Sequence, residues 1–169
     1  MTYEEKLGGL FSIVGHEITH GFDKNGSLYD KDGMQNSWLP MDDQLAFSDR
    51  SDKVASYYST MTPFAGAGLY SGSQVNGEAT ADMGGIKVTL YLASQVPDFD
   101  YDLYFRSYAR IYRVNLPFDV ERLYLSDPHP LSFYRVNVGL QQFDEFYETY
   151  GIKEGDGMYL EPDKRVKVW

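Results

Sequence analysis

Val14-Gly15-His16-Glu17-Ile18-Thr19-His20-Gly21 places two histidines four residues apart. The segment lies in an apolar stretch, Leu10 to Phe22, where Leu10, Ile13, Val14 and Ile18 recur at helical spacing with His16 and His20 on a separate stripe. Gly21 stands where such a helix can stop. On a helix, positions i and i+4 lie one turn apart on one face. Both imidazoles can therefore reach one metal at about 2.0–2.1 Å. The competing reading is a helix with two surface histidines. The apolar neighbours Ile13, Val14 and Ile18 argue instead for a buried helix, on which two histidines without a ligand would need other polar partners.

His16-Glu17-Ile18-Thr19-His20 has the HExxH arrangement of a metalloprotease zinc site, in which the metal lowers the pKa of its water toward ~7 and the Glu takes the proton. A catalytic zinc needs a third protein ligand and an open position. The chain has no cysteine, so thiolate ligation, disulfides and a cysteine nucleophile are all excluded. A metzincin would carry Gly at position 23 and His at position 26; Asp23 and Gly26 stand there instead. The third ligand is then a carboxylate or His129. Glu78 stands out, because Glu78 and Asp82 are again i, i+4 on a predicted helix among small and apolar residues, Ala79, Ala81, Met83 and Ile86. One carboxylate can bind zinc while the other accepts a hydrogen bond from a liganding imidazole and fixes its tautomer. An ExxxD pair alone is more often a solvated face; its apolar neighbours favour the ligand reading here.

The 169 residues are enough to bury a sizeable core, and 16% aromatic residues argue against disorder. A net charge of -10 makes nucleic acid a poor partner. No apolar run approaches the roughly 20 residues that span a bilayer, and Met1 to Gly8 do not read as a signal peptide. Asn25-Gly26 and Asp32-Gly33 bracket a short strand and predict a small hairpin or irregular loop. Helices are expected over about Asp42–Thr60, Val75–Ser94, the aromatic stripe Tyr101–Tyr112, and Leu140–Tyr150, with Thr62–Ser73 and the region of Pro117, Pro128 and Pro130 as loops. Gly84-Gly85 inside the second of these costs about 1 kcal/mol per glycine against alanine, which predicts a second helix packed closely there. The fold class expected is mainly α, with little β.

Four segments resemble the neprilysin family of zinc peptidases, gluzincins that include endothelin-converting enzymes and bacterial endopeptidase O. They are Val14–Asp23; Asn76-Gly77-Glu78-Ala79-Thr80-Ala81-Asp82-Met83-Gly84-Gly85; Asp127-Pro128-His129 through Phe133-Tyr134-Arg135; and Arg165-Val166-Lys167-Val168-Trp169. They occur in family order and span the chain. The resemblance implies a zincin-like catalytic region over residues 1–169, with one zinc per chain held by His16, His20 and Glu78. It implies Glu17 as general base, His129 as hydrogen-bond donor to the oxyanion, and Arg135 on a substrate carbonyl. Asp82 and Asp23 would orient the liganding histidines, Asp82 on His16.

Chemistry supports these roles. Removing a preorganised oxyanion donor costs about 3–4 kcal/mol, His129 is the one histidine not otherwise used, and Asp127 is placed to orient it. Arg135 offers a rigid fork suited to carbonyls or to a structural carboxylate. The family's N-terminal capping lobe and its substrate-pairing strand are not found, so the parent chain is expected to be longer at its N-terminal side. A bacterial, cytoplasmic parent is expected from the lack of cysteine. The expected function is zinc-dependent hydrolysis of oligopeptides; the alternative is a zinc-binding module that is catalytically incompetent without the capping lobe.

Overall fold

The computed structural model describes residues 1–36 and 38–169 and is mainly helical, with almost no strand among the described residues. A continuous helical run opens the chain. Helix α1 (Tyr3–Lys6) starts in a Thr2–Glu5 capping box, widens into a π turn at Leu7–Phe11, continues as α2 (Ser12–Thr19) and tightens to a 3₁₀ turn at His20–Phe22. Then follow α3 (Met41–Tyr58), α4 (Gly72–Ala93), α5 (Tyr101–Ile111), α6 (Phe118–Leu123), α7 (Ser132–Leu140) and α8 (Asp144–Tyr150). Local chemistry sets the ends. The Asp100 side chain accepts from the Leu103 amide to start α5, and Gly151 closes α8 in a left-handed conformation, φ 62°.

Helix α4 is the axis of the molecule. Its middle, Ala79–Ile86, is buried on every side, whereas Lys87, Val88, Tyr91 and Leu92 leave one side of its last turns exposed. Its first half joins Phe47, Val54 and Tyr58 of α3 and Val138 of α7, with Val166 and Val168 of the C-terminal tail closing the cluster. Its second half joins Leu7, then Tyr104, Phe105 and Tyr108 of α5, and Phe146 of α8. Among the described residues no helix is long and apolar enough to cross a membrane.

Little β is expected, and among the described residues the one antiparallel bridge, Tyr29–Gln35, sits astride Gly33 (φ 74°). Asn25-Gly26 makes no hairpin. The Asp23 carboxylate accepts the amides of Asn25 and Gly26, both at 2.8 Å, and folds them into a 3₁₀ turn, Gly26–Leu28. A second difference is two helices not expected from the sequence, α6 inside the Pro117–Pro130 region read as a loop and α7 between it and the helix expected from Leu140. Leu131 is extended after Pro130 and α7 starts at Ser132; the chain then breaks at Gln141–Phe143 before α8.

The largest correction concerns α2. Its apolar residues point outward: Leu10 is 55% exposed, Ile13 40%, Val14 42% and Ile18 62%. The buried side of the helix is Ser12, Gly15, His16 and Thr19. The reason lies opposite, in Gly84-Gly85. A Cβ on Gly85 would lie 2.4 Å from the Ser12 carbonyl and 2.8 Å from the His16 nitrogen, and one on Gly84 would lie 2.3 Å from Thr19 Oγ1. A Cβ on Gly15 would come within 3.0 Å of Gly85 Cα. The two helices thus cross backbone on backbone, which large apolar side chains would prevent, so the small residues are buried and the large ones are left outside.

This crossing gives a test. Gly85→Ala has only backbone to push against and is expected to cost about 3 kcal/mol in thermal or denaturant unfolding. Gly21→Ala, which meets nothing within 4 Å, should change stability by less than about 0.5 kcal/mol. Equal, small effects in both variants would contradict the close crossing.

Candidate metal centre

The crossing of α2 over α4 brings His16 and His20 of one helix against Glu78 and Asp82 of the other. His16 Nε2 and His20 Nε2 are 3.0 Å apart, and Glu78 Oε2 lies 3.2 Å from the first and 3.5 Å from the second. Ligand atoms about 2.0–2.1 Å from one tetrahedral ion must lie about 3.3 Å from each other. The three observed separations fit that requirement. His16, His20 and Glu78 form the metal-competent group among the described residues, their ligand atoms all within 4.8 Å of one another; His129 does not join it.

The far sides of the imidazoles are held. His16 Nδ1 donates to Asp82 Oδ1 at 2.8 Å, and His20 Nδ1 to Asp23 Oδ2 at 2.7 Å. With the proton kept on Nδ1, each ring turns the Nε2 lone pair toward the other and toward Glu78. Asp82 is itself gripped. Arg135 donates from Nε to Oδ2 at 2.8 Å and from Nη2 to Oδ1 at 2.6 Å, its guanidinium stands 4.6 Å over the Tyr112 ring, and the Tyr112 hydroxyl reaches Asp82 Oδ1 at 3.4 Å. Buried as it is, this carboxylate needs the bidentate partner. Nothing in the sequence marks Tyr112 for this place, since in the aromatic stripe it looks like its packed neighbours.

Glu78 Oε2 is the telling atom. It is buried and accepts no well-directed hydrogen bond, although three imidazole nitrogens lie within 3.5 Å, the third being His129 Nε2 at 3.1 Å. A buried carboxylate oxygen set among imidazole nitrogens with no directed hydrogen bond calls for a positive charge, a proton or a metal ion. Two imidazoles and a carboxylate with an open side suit zinc. Beside His20 and Glu78 lies a cleft of about 360 Å³, walled by Asn25, Gln74, Gly77 and Pro128.

His129 is half exposed on a loop, its ring Nδ1 2.7 Å and its backbone amide 2.9 Å from Asp127 Oδ1. These contacts, the amide first and the ring second, hold the Asp127 carboxyl below its usual range. Glu17 is on the exposed side of α2, with no hydrogen bond or ion pair among the described residues. Every residue singled out from the sequence except Glu17 thus falls in one contact network.

Comparison with known proteins agrees with this geometry. The model of peptidase family M13 matches residues 2–166. The chain belongs to this family. It is 33% identical over 166 residues to the neutral endopeptidase of Lactococcus lactis subsp. lactis (strain IL1403), covering 98% of the chain and 26% of that protein. Among solved structures it superposes on PEPO from Lactobacillus rhamnosis HN001 with TM-score 0.91 at 33% identity, over 98% of the chain and 26% of the other. It superposes on the Mycobacterium tuberculosis zinc metalloprotease ZMP1, in complex with an inhibitor, with TM-score 0.89 at 28% identity, over 98% of the chain and 28% of the other. The chain therefore spans about a quarter of the length of its M13 relatives, is of their mainly helical zincin-like type, and by family is a zinc protein.

Protonation carries the testable consequence. Burial pulls the His16 pKa down, but the hydrogen bond to Asp82 and the nearby Glu78 carboxylate outweigh it and lift the metal-free imidazole from 6.5 to about 9. A raised pKa means stability that is complete below pH 6.5 and lost as the pH rises through 9. Zinc must displace the same proton, so its affinity should change in the opposite direction, rising by about tenfold per pH unit across that window and levelling above it. Competition titrations against a chelator of known affinity check this; a flat profile would contradict it.

Proposed function

We propose that this chain is the zinc-binding catalytic region of a metalloendopeptidase that hydrolyses oligopeptides, with one zinc held by His16, His20 and Glu78. The observation that carries the reading is the buried Glu78 oxygen set among imidazole nitrogens whose far sides are fixed by carboxylates. A zinc ion in that place would supply Lewis acidity and a nucleophile available near neutral pH.

The side chains then have distinct tasks. Glu17, one residue from His16 and free of other partners, takes the proton of the attacking water and returns it to the departing amine as the peptide C–N bond breaks. His129 donates from Nε2 to the oxyanion. Because Asp127 holds the other ring nitrogen, a donating Nε2 means a doubly protonated ring, for which ionised Asp127 is the counter-charge. Asp82 and Asp23 keep His16 and His20 in the ligating tautomer. Arg135 anchors Asp82 through Nε and Nη2, which leaves Nη1 for a substrate carbonyl.

The outward apolar side of α2, Leu10, Ile13, Val14 and Ile18, together with Val88 and Tyr91 of α4, is the face on which the remainder of a longer enzyme would pack. That same face supports a second reading, in which the isolated chain binds zinc but turns over no peptide until it is covered.

Two measurements separate the readings. Metal analysis of the chain should give about one zinc per molecule, with Glu78→Ala largely devoid of it; zinc retained in the variant would sink the ligand set. In the complete enzyme, Glu17→Gln should keep its zinc and lose at least about 100-fold in kcat. Turnover by the complete enzyme but not by this chain supports the second reading for the fragment.

A further inference from the structure

His129 comes close to Glu78 from a segment that has almost no core of its own. Residues 113–120 are all exposed, and neither α6 nor the turn Tyr124–Ser126 has a buried residue. Leu125 packs half-buried against the cluster of α3 and α4, and Pro130 and Leu131 are buried just beyond the histidine; the other anchors are few. One is an edge contact between Phe64 and Phe118, centroids 5.0 Å apart, far from His129. A second is the Leu131 amide, which donates to the Tyr70 hydroxyl at 3.1 Å beyond the histidine. The third lies beside it. Gln74 Nε2 donates to the carbonyl of Leu125 at 3.1 Å and to that of Asp127 at 2.8 Å.

Gln74 belongs to α4, one helical turn before Glu78. A single amide nitrogen, with its two hydrogens, therefore ties the loop to the helix that carries the carboxylate which His129 faces. We infer that Gln74 is a positioning residue for His129. It sets the height of the Leu125–His129 loop over α4, and with it the approach of His129 Nε2 to the metal centre. Its amide is spent on the two loop carbonyls and on no metal ligand, although the side chain also lines the cleft beside His20 and Glu78; its effect on His129 passes through the loop. The side chain suits this task and no neighbouring chemistry does. Glu at the same length has no hydrogen to donate and would face two carbonyl oxygens; Asn falls one methylene short. The hydrogen bonds are exposed, so they add little to global stability, and a change at Gln74 can be read apart from folding.

This inference rests on the peptidase reading for its kinetic part only. In the zinc-loaded chain, Gln74→Ala and Gln74→Glu should raise amide hydrogen exchange across residues 125–129 by about tenfold and shift the imidazole NMR signals of His129, with zinc content and unfolding midpoint unchanged. In the complete enzyme, kcat should fall about tenfold with KM nearly constant. In a His129→Phe background Gln74→Ala should cost nothing further. Unchanged exchange and unchanged His129 signals would overturn the inference, as would a kcat loss that persists in full in the His129→Phe background or that tracks loss of zinc. A complete wild-type enzyme without peptidase activity would instead sink the functional reading, while the exchange and NMR results would still decide the role of Gln74.

Discussion

Gly15 of α2 rests on Gly85 of α4, and every distance at the metal centre follows from that contact. Two helices normally keep their axes about 8–10 Å apart because side chains fill the space between them. Here the facing residues are Ser12, Gly15, Thr19, Gly84 and Gly85, so backbone meets backbone with no room for a Cβ on Gly84 or Gly85. Only then can imidazoles from one helix and a carboxylate from the other meet within 3.5 Å. The glycines weaken α4 as an isolated helix. Burial of the middle of α4, Ala79–Ile86, between two clusters offsets that cost.

The second constraint is Asp82. A carboxylate nine-tenths or more buried is tolerated only when its oxygens are fully used, and both are: Oδ2 by Arg135, Oδ1 by Arg135, His16 and the Tyr112 hydroxyl. Arg135 lies on α7 and Tyr112 at the end of α5, so one side chain joins four helices. The orientation of His16 is therefore a property of the whole assembly. Asp23 does the same for His20 by local means, with its second oxygen spent on the Asn25 and Gly26 amides.

What the sequence disclosed follows from where the information is local. HExxH and ExxxD are patterns of i, i+4 spacing, and a helix converts such spacing into a shared face without help from the rest of the chain. The Gly84-Gly85 pair likewise pointed to a close helix crossing. The outward turn of Leu10, Ile13, Val14 and Ile18 was misread, because periodicity identifies an apolar face but not what covers it, and the small-residue face opposite was the one chosen by the glycines of α4. Helix α7 was missed since Val136, Val138 and Gly139 weaken its local signal; tertiary burial of Val138 and Leu140 decides it. Tyr112 and Gln74 act through residues far away in the chain, and no local pattern marks them.

The charges around the site give the last step. Asp23, Glu78, Asp82 and Asp127 gather about three histidines, and among these residues Arg135 is the permanent cation. Four carboxylates against one guanidinium leave three negative charges in excess when the rings are neutral. Within a partly buried site such an excess draws in positive charge by whatever route is open. Without metal that route is a proton, and the rise of the His16 pKa to about 9 is its signature. A dication meets the same demand more fully, and at the one point where lone pairs and the orphaned Glu78 oxygen converge. Proton uptake by the metal-free chain and metal binding are then two responses to one field, set up by a helix crossing that leaves no room for neutral side chains between the ligands.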